Sequence, residues 1–492
     1  MHFTTENILL IGSVLIFSAV ILSKAGYKFG VPALLLFLIV GMVFGSDGIG
    51  LVFNNYSQAQ FVGVAALSII LFTGGIETRF KDIRPVMWQG LILATVGVFL
   101  TTIFCGLFIF LLTRIGHFSA PLSIVMCFLM ASIMSSTDSA SVFNILKTSN
   151  LRLKENLRPL LELESGSNDP MAYVITIVLI QAATILYDPT SATEGIDYSI
   201  IITNAVKVFF MQLGIGAVFG IGIGYGASWV LRKIQLGSSP LYAILLLTSA
   251  FFTISITETF KGNGYLAVYI CGLIIGNKII PERKEILTFL EGMTWLMQIG
   301  MFLMLGLLVN PRNMFQIAPT ALLIGIFMMV IARPLSVFLC LLPFRGMSFR
   351  ARTFISWVGL KGAVPIIFAT YPILADIPGS EHIFNIVFFI TIMSLIIQGM
   401  TVTKSAKLLN IALPEEKRLD TFGIEIPDEA GKLVDCTLTP EDIEQGDTLK
   451  EISLPKGARV VMIQRRSRLI VPDGTVKLLP GDKLLMIFGE EN

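Results

Sequence analysis

Glu164-Ser165-Gly166-Ser167-Asn168-Asp169-Pro170 opens an otherwise apolar run that continues as MAYVITIVLIQAA. Asp169 is therefore expected inside a lipid-spanning helix. An ionised carboxylate near mid-bilayer costs about 2.5–3.5 kcal/mol on insertion scales, so such a residue marks a proton or ion path by default. Ser165 and Asp169 stand at i and i+4 and share one helical face. A hydroxyl and a carboxylate stacked that way form part of a cage for a dehydrated monovalent cation. The plainer reading is a polar helix whose acid merely pairs with a neighbour. The cost of placing an acid in lipid weighs against it.

Composition supports a membrane protein. Of 492 residues, 54% are hydrophobic and only 14% charged, whereas soluble domains carry about 25% charged residues. The first run, NILLIGSVLIFSAVILS, lacks a basic leading segment and a small-residue cleavage site, so it is expected to be a retained helix. Cys105, Cys127, Cys271 and Cys340 fall in apolar runs and Cys436 in the tail; none has metal-ligand spacing. His2, His117 and His382 are expected at the N-terminus or in loops, which argues against a histidine relay in the membrane. No hydrolytic or nucleotide-cleaving motif is present, so neither an enzyme nor a cofactor is expected. Nor is a nucleic-acid partner.

Runs long enough to span occur about thirteen times, at roughly 6–23, 30–46, 59–76, 86–113, 119–146, 159–186, 199–231, 240–257, 262–280, 286–309, 317–343, 353–374 and 382–403. With the N-terminus outside, basic residues such as Arg79, Lys81, Arg84, Arg152, Lys154 and Arg158 collect in the cytoplasmic loops. The opposite loops hold only Arg114, Lys261 and Arg312. The positive-inside rule then places the C-terminus in the cytoplasm.

An odd number of spans invites a test for inverted repeats, six helices on each side of a linking seventh. Span five carries Ser135-Ser136-Thr137-Asp138-Ser139, and its counterpart, span twelve, carries Gly359-Leu360-Lys361-Gly362-Ala363-Val364-Pro365. Paired broken helices supply unwound carbonyls and half-helix dipoles to an ion site near the midplane. The Thr137 carbonyl and hydroxyl are thus candidate ligands, and Asp138 and Lys361 could balance the half-helix ends. Pro170 is expected either to begin a helical turn or to kink the span. In span seven, the glycine pairs 216/220, 220/224 and 222/226 read as small-residue packing faces. Gly222-Ile223-Gly224-Tyr225-Gly226 also resembles a potassium-channel filter, but a filter needs a re-entrant loop and this sequence lies within one long apolar run.

The expected domains are a transmembrane domain at 1–403, a charged cytoplasmic linker at 404–420 and a small β-rich domain at 421–492. The last shows the strand-like runs FGIEI, KLVDCTL, RVVMIQ, RLIV and KLLMIF, separated by turn signals such as Pro472-Asp473-Gly474.

ESGSNDP with Asn168-Asp169, the preceding STDS in a broken span, Ala332-Arg333 and GLKGAVP together resemble the NhaP/NHE-type monovalent cation:proton antiporters. The tail GDTLKEISLPKGARVVMIQRRSRLIVPDGTVKLLPGDKLLMIFGE resembles the TrkA-C (RCK C-terminal) regulatory module. The combination is similar to the potassium/proton, CvrA-like branch, over essentially the whole chain. The resemblance implies an α-helical, thirteen-helix inverted-repeat antiporter fold, a homodimer in a bacterial-type plasma membrane, and a core that moves against a dimerisation domain. It implies that Asp169 is the shared proton and cation carboxylate, helped by Ser165, the Thr137 carbonyl and Asp138. Asn168 would stabilise the broken span, and Glu164 and Arg333 would form a structural ion pair. A nucleotide or cyclic dinucleotide is the ligand class that family analogy suggests for the tail. Two departures stand out. Lys361 occupies a place where relatives commonly have Arg, losing the bidentate fork. Thr73 stands where some place a Glu, and Glu77 lies nearer the cytoplasmic end.

Three functions are weighed. A single intramembrane acid can hold a proton or a cation but not both well, which gives exchange of K⁺, or else Na⁺, for H⁺. Because Asn168 cannot titrate, that exchange is expected to be one for one. A ligand-gated channel would need filter chemistry. A scaffold with a degenerate transporter body would not need Asp169.

Overall fold

Long apolar runs become helices because a helix satisfies its own backbone within lipid. The computed structural model describes residues 8–29, 32–116, 122–149, 151–187, 198–234, 236–278, 282–414, 433–438, 446, 448–452, 454, 458–465 and 468–488. His2, His117 and the FGIEI run lie outside them. The chain divides into two compact units, Met1–Pro414 and Glu415–Asn492.

The first unit is helical. Its elements begin with α1 (Ile8–Phe29), α2 (Ala33–Phe44), α3 (Tyr56–Glu77), α4 (Phe80–Arg114), α5 (Ile124–Ile133) and α6 (Ser139–Thr148). After strand β1 (Leu151–Leu153) come α7 (Leu157–Tyr187), α8 (Tyr198–Lys233), α9 (Ser239–Thr259), α10 (Gly264–Gly276) and α11 (Arg283–Leu308). The unit closes with α12 (Met314–Leu341), α13 (Phe349–Trp357), α14 (Val364–Leu374), α15 (Ser380–Leu408) and strand β2 (Ala412–Pro414). Eight of these helices are long and apolar enough to cross a membrane, and five more are shorter and apolar. Each of the thirteen expected runs overlaps one of them. The fold is that of a polytopic membrane protein, and both expected interruptions occur, between α5 and α6 and between α13 and α14.

Four local readings are refined by the structure. Helix α7 neither begins nor breaks at Pro170, which sits well inside it. His382 lies in the first turn of α15 rather than in a loop, because Gly379, at φ +80°, starts the helix there. Gly216, Gly220 and Gly224 of α8 face α10, where added side chains would meet Asn263, Ala267, Ile270, Cys271 and Ile274. Gly222 and Gly226 meet nothing within 4 Å, so the 222/226 pair packs against no other helix of this chain among the described residues. The filter-like sequence lies wholly within α8.

Regular structure continues past residue 403, where the last expected span ends. Helix α15 runs to Leu408, and β2 then pairs antiparallel with β1, Arg152 opposite Leu413. Lys154 extends the pairing, its N–H donating to Ile411 O at 3.0 Å and its Nζ to Asn410 O at 3.1 Å.

The second unit holds a four-stranded antiparallel sheet in the order β3-β6-β4-β5, from β3 (Leu433–Thr437), β4 (Ala458–Arg465), β5 (Arg468–Ile470) and β6 (Lys483–Phe488). These strands coincide with four of the five strand-like runs. Leu438, Ile452, Ile463, Leu478, Leu484 and Met486 form its small apolar core.

A candidate ion site at two crossed helix breaks

The two unwound segments touch each other. The Asp138 N–H donates to Leu360 O at 2.8 Å, joining the α5–α6 break to the α13–α14 break. Each break exposes half-helix ends, whose last carbonyls and first N–H groups need partners. Lys361, almost wholly buried, supplies one set: its Nζ donates to Ser136 O at 2.8 Å, just past the end of α5. Asp138 supplies another at the start of α6. Its Oδ1 accepts from the Ser141 N–H at 3.1 Å, and its Oδ2 accepts from the Ser141 hydroxyl. A cation near helix carbonyls and a carboxylate near helix N–H groups both match the dipoles. The second break is also bracketed from α15: Lys361 N–H donates to Ser394 Oγ at 3.0 Å, and Gln398 Nε2 donates to Trp357 O at 2.7 Å.

Helix α7 crosses the first break with its polar residues. The Ser165 hydroxyl donates to Thr137 O at 3.0 Å and accepts from the Ser139 N–H at 3.2 Å. Asn168 Nδ2 donates to Thr137 Oγ1 at 2.5 Å. Ser165, Asn168, Thr137 and Asp138 are thus gathered at one break, with Lys361 reaching it from the other. Asp169 lies in the same stretch of α7 and is 7% exposed; its Oδ1 is buried without a hydrogen-bond partner. Among the described residues no cation stands within ion-pair distance of it.

Glu164 is arranged differently. Arg333 Nη2 donates to Glu164 Oε1, and both side chains are almost wholly buried. Arg333 directly follows a π turn in α12 (Met328–Ala332), a local widening common near functional sites. Thr73 is buried, 3.4 Å from the Thr294 hydroxyl, whereas Glu77 is exposed at the end of α3.

Sequence reasoning passed over Asn263. Its Nδ2 donates to Pro170 O at 2.8 Å while its Oδ1 caps α10 at the Leu266 N–H, 3.0 Å away. An Asn immediately before an apolar helical run was the available signal. Tyr173, Tyr265, Tyr269 and Tyr371, gathered beside α7, had no such signal, because an aromatic in an apolar run reads as packing.

A buried carboxylate oxygen without a partner, beside hydroxyl and carbonyl oxygens, can accept a proton or ligate a dehydrated monovalent cation. Comparison with known proteins agrees with that chemistry. Residues 13–407 match the family described as sodium/hydrogen exchanger, transmembrane. The chain belongs to the sodium/hydrogen exchanger family. Residues 437–492 of this exchanger-family chain match the TrkA-C domain. It is 38% identical over 489 residues to the K(+)/H(+) antiporter NhaP2 of Shewanella sp. (strain ANA-3), covering 99% of this chain and 82% of that one. It is 39% identical over 417 residues to the K(+)/H(+) antiporter NhaP of Alkalimonas amylolytica, covering 84% and 68%. The Na(+)/H(+) antiporter ApNhaP of Aphanothece halophytica is more distant, 28% identical over 409 residues, covering 80% and 73%. The structure of MjNhaP1 from Methanocaldococcus jannaschii, a sodium proton antiporter, has the same fold: TM-score 0.69 at 20% identity, over 82% of this chain and all of that one.

Proposed function

We propose that this protein is a secondary antiporter exchanging a monovalent cation, K⁺ in the first place, for H⁺ by alternating access. The observation that carries the reading is the buried, partnerless Oδ1 of Asp169 beside a break lined by Thr137, Ser165, Asn168 and Asp138. Asp169 is the carrier in this reading, alternating between proton and cation. Ser165 and the Thr137 carbonyl are released from each other to ligate the ion. Asp138 and Lys361 balance the half-helix ends, Asn168 holds the break, and the Glu164–Arg333 pair fixes α7 against α12. K⁺ is favoured over Na⁺ because the relatives named for K⁺ are 38–39% identical and the one named for Na⁺ is 28% identical.

Dequenching of a pH-sensitive dye in everted vesicles, with K⁺, Na⁺, Rb⁺ and Li⁺ compared, tests both activity and selectivity. Dequenching by K⁺ at lower concentration than Na⁺ is expected; no cation-dependent signal would overturn the reading. Because the neighbour of Asp169 is an amide, one cation should exchange for one proton. Each crossing state then carries equal charge, and the potential, worth about 2.3 kcal/mol per charge per 100 mV, does not drive the cycle. A rate that shifts strongly between a zero and a large negative clamp would sink the one-for-one count.

The functional division proposed is 1–403 for transport, 404–420 as linker and 421–492 as a cytoplasmic regulatory domain whose ligand is a nucleotide or cyclic dinucleotide. The protein works as a homodimer in the plasma membrane, its N-terminus outside, in pH homeostasis. Light scattering in detergent checks the dimer, and cysteine labelling from each side checks the topology. A chain ending after Pro414 keeps the β1–β2 pairing, so it should retain exchange and lose part of its pH or ligand response. Complete loss of exchange by an inserted, dimeric truncation would make the tail part of the transport machinery.

A further inference from the structure

The short β1–β2 sheet collects one end of each of four helices that reach the ion site. Helix α6 starts at the first break, runs ten residues, about 15 Å, and ends at Thr148, just before β1. Helix α7, which carries Asp169, starts at Leu157, just after β1. Between β1 and α7, Glu155 and Asn156 turn the chain in the left-handed region, at φ +57° and +52°. Helix α13, which ends at the second break, is capped at its start by Ser348, whose hydroxyl accepts from the Ala351 N–H at 3.1 Å. Ser348 in turn donates to the Glu155 carboxylate twice, from its N–H at 3.2 Å and from its hydroxyl at 2.8 Å. Helix α15, which brackets the second break through Ser394 and Gln398, meets the same place. There the hydroxyls of Thr403 and Ser149 lie 3.1 Å apart.

Strand β2 is where the chain leaves this unit. Past α15, Asn410, also left-handed at φ +56°, turns the chain towards β2. The bond from the Lys154 N–H to Ile411 O makes these two a hydrogen-bonded pair. By antiparallel alternation, Arg152 and Leu413 are the next such pair. Strand β2 ends at Pro414, the last residue of the first unit, and the chain continues directly into the second. Among the described residues, six that are not glycine have a left-handed backbone, and Glu155, Asn156 and Asn410 stand together here. Such residues persist only where the surrounding structure holds them, and they gather at switch regions.

We propose that the β1–β2 sheet couples the TrkA-C domain to the ion site. The state of that domain sets how β2 lies on β1, and β1 passes the shift to both helix breaks. Helices α6 and α13 are short, stiff rods, so a displacement of their ends at β1 and Ser348 arrives at the breaks. The bond from the Asp138 N–H to Leu360 O joins the two breaks, which therefore respond together. A two-stranded pairing this short is marginal by itself, which suits an element that must shift at low cost. This inference rests on the reading of 421–492 as a regulatory domain, and it names the route by which that domain acts.

The pH profile of K⁺-driven dye dequenching in everted vesicles reads the coupling, because a part that only holds the fold alters yield or maximal rate instead. Leu413→Pro removes the N–H that Leu413 brings to its pair with Arg152 and leaves the whole tail attached. Glu155→Ala releases Ser348 and leaves the sheet in place. The chain ending after Pro414 supplies the reference shift. Leu413→Pro in the full-length chain should reproduce that shift at the parental maximal rate, and should add no further shift in the truncated chain. Glu155→Ala should give part of the same shift, and it decides alone if Leu413→Pro fails to insert. Parental profiles in both variants, beside a shifted truncation, overturn the coupling element and leave regulation by the tail intact. An equal effect of Leu413→Pro with and without the tail overturns it as well, since that marks a structural role. A truncation with the parental profile, or with no exchange at all, would instead remove the regulatory reading on which the inference depends.

Discussion

Helix α7 carries two buried carboxylates five residues apart, and their surroundings differ. Each keeps one buried oxygen without a partner, Glu164 Oε2 and Asp169 Oδ1, but Glu164 receives the Arg333 guanidinium on Oε1, whereas among the described residues no cation stands within ion-pair distance of Asp169. Both acids are buried in the fold, and they differ in what stands opposite the charge. A buried charge with a fixed counter-charge is held in one state. A buried acid without one is left to be neutralised by whatever it binds, proton or metal cation, and can change occupant. The pairing pattern thus separates a residue suited to holding two helices together from one suited to exchange. This is the division of roles proposed above, and four variants can break or sharpen it.

The largest effect is expected at the unpaired member. Asp169→Asn removes the carboxylate proposed to alternate between proton and cation, so cation-driven proton release should vanish while the protein still inserts and folds. The dye assay, run beside a detergent elution profile of the same preparation, checks both halves. Normal exchange by a well-expressed variant would show that Asp169 is not the carrier, and the contrast with Glu164 would lose its functional meaning.

At the paired member the damage should fall on stability. Arg333→Ala strands Glu164 as an uncompensated buried charge, a loss of about 3–5 kcal/mol, read as lower folded yield or melting temperature. Glu164→Gln with Arg333→Gln removes both charges and should do less harm than Arg333→Ala alone. If both variants melt like the parent, the contact contributes nothing as an ion pair.

How far the contrast was legible in sequence differs by level. The spans were legible because thirteen runs of apolar residues each approach bilayer thickness. The two breaks were legible because Ser135–Ser139 and Gly359–Pro365 interrupt such runs at matching places. Their direct contact, Asp138 to Leu360, was not, since nothing local to either break encodes the crossing. Lys361 was expected to help balance half-helix ends, yet its partner, the Ser136 carbonyl, is a backbone group that any sequence would present. Glycine spacing foretold packing for 216, 220 and 224 but also for 222 and 226. In lipid, every face of a helix is apolar, so hydrophobic pattern does not say which face meets protein. For the same reason Tyr269 looked like ordinary packing, and nothing local to it encodes the contact of its ring with Gly166 on the helix opposite.

The smallest effect is expected where a paired carboxylate stands outside the membrane. Asp482, buried in the second unit, accepts from Arg465 Nε at 2.9 Å, from Arg465 Nη2 at 2.7 Å and from the Leu479 N–H at 2.9 Å. Burial pushes its carboxyl up, but the hydrogen bonds from Arg465 and Leu479 outweigh it and hold the group below the usual carboxylate range. A depressed folded-state value means that the stabilisation is fully present above the unfolded value, about 3.9, and is lost as pH falls through the folded one. Here, unlike at Arg333, the guanidinium is about one third exposed, and water screens what the pair loses when it is cut. Asp482→Asn should therefore cost about 1–2 kcal/mol at neutral pH, less than Arg333→Ala, because an amide oxygen can still accept from Leu479. Hydrogen exchange of the β6 amides in the full-length protein reads this locally. Protection should fall in the variant at pH 7, and the gap to the parent should close as pH falls through the depressed folded-state value of Asp482. Basal exchange activity should be unaffected. Parental protection at pH 7 would mean that a carboxylate with two charge-assisted hydrogen bonds gains nothing from them outside the membrane, and the paired half of the comparison would then hold only in lipid.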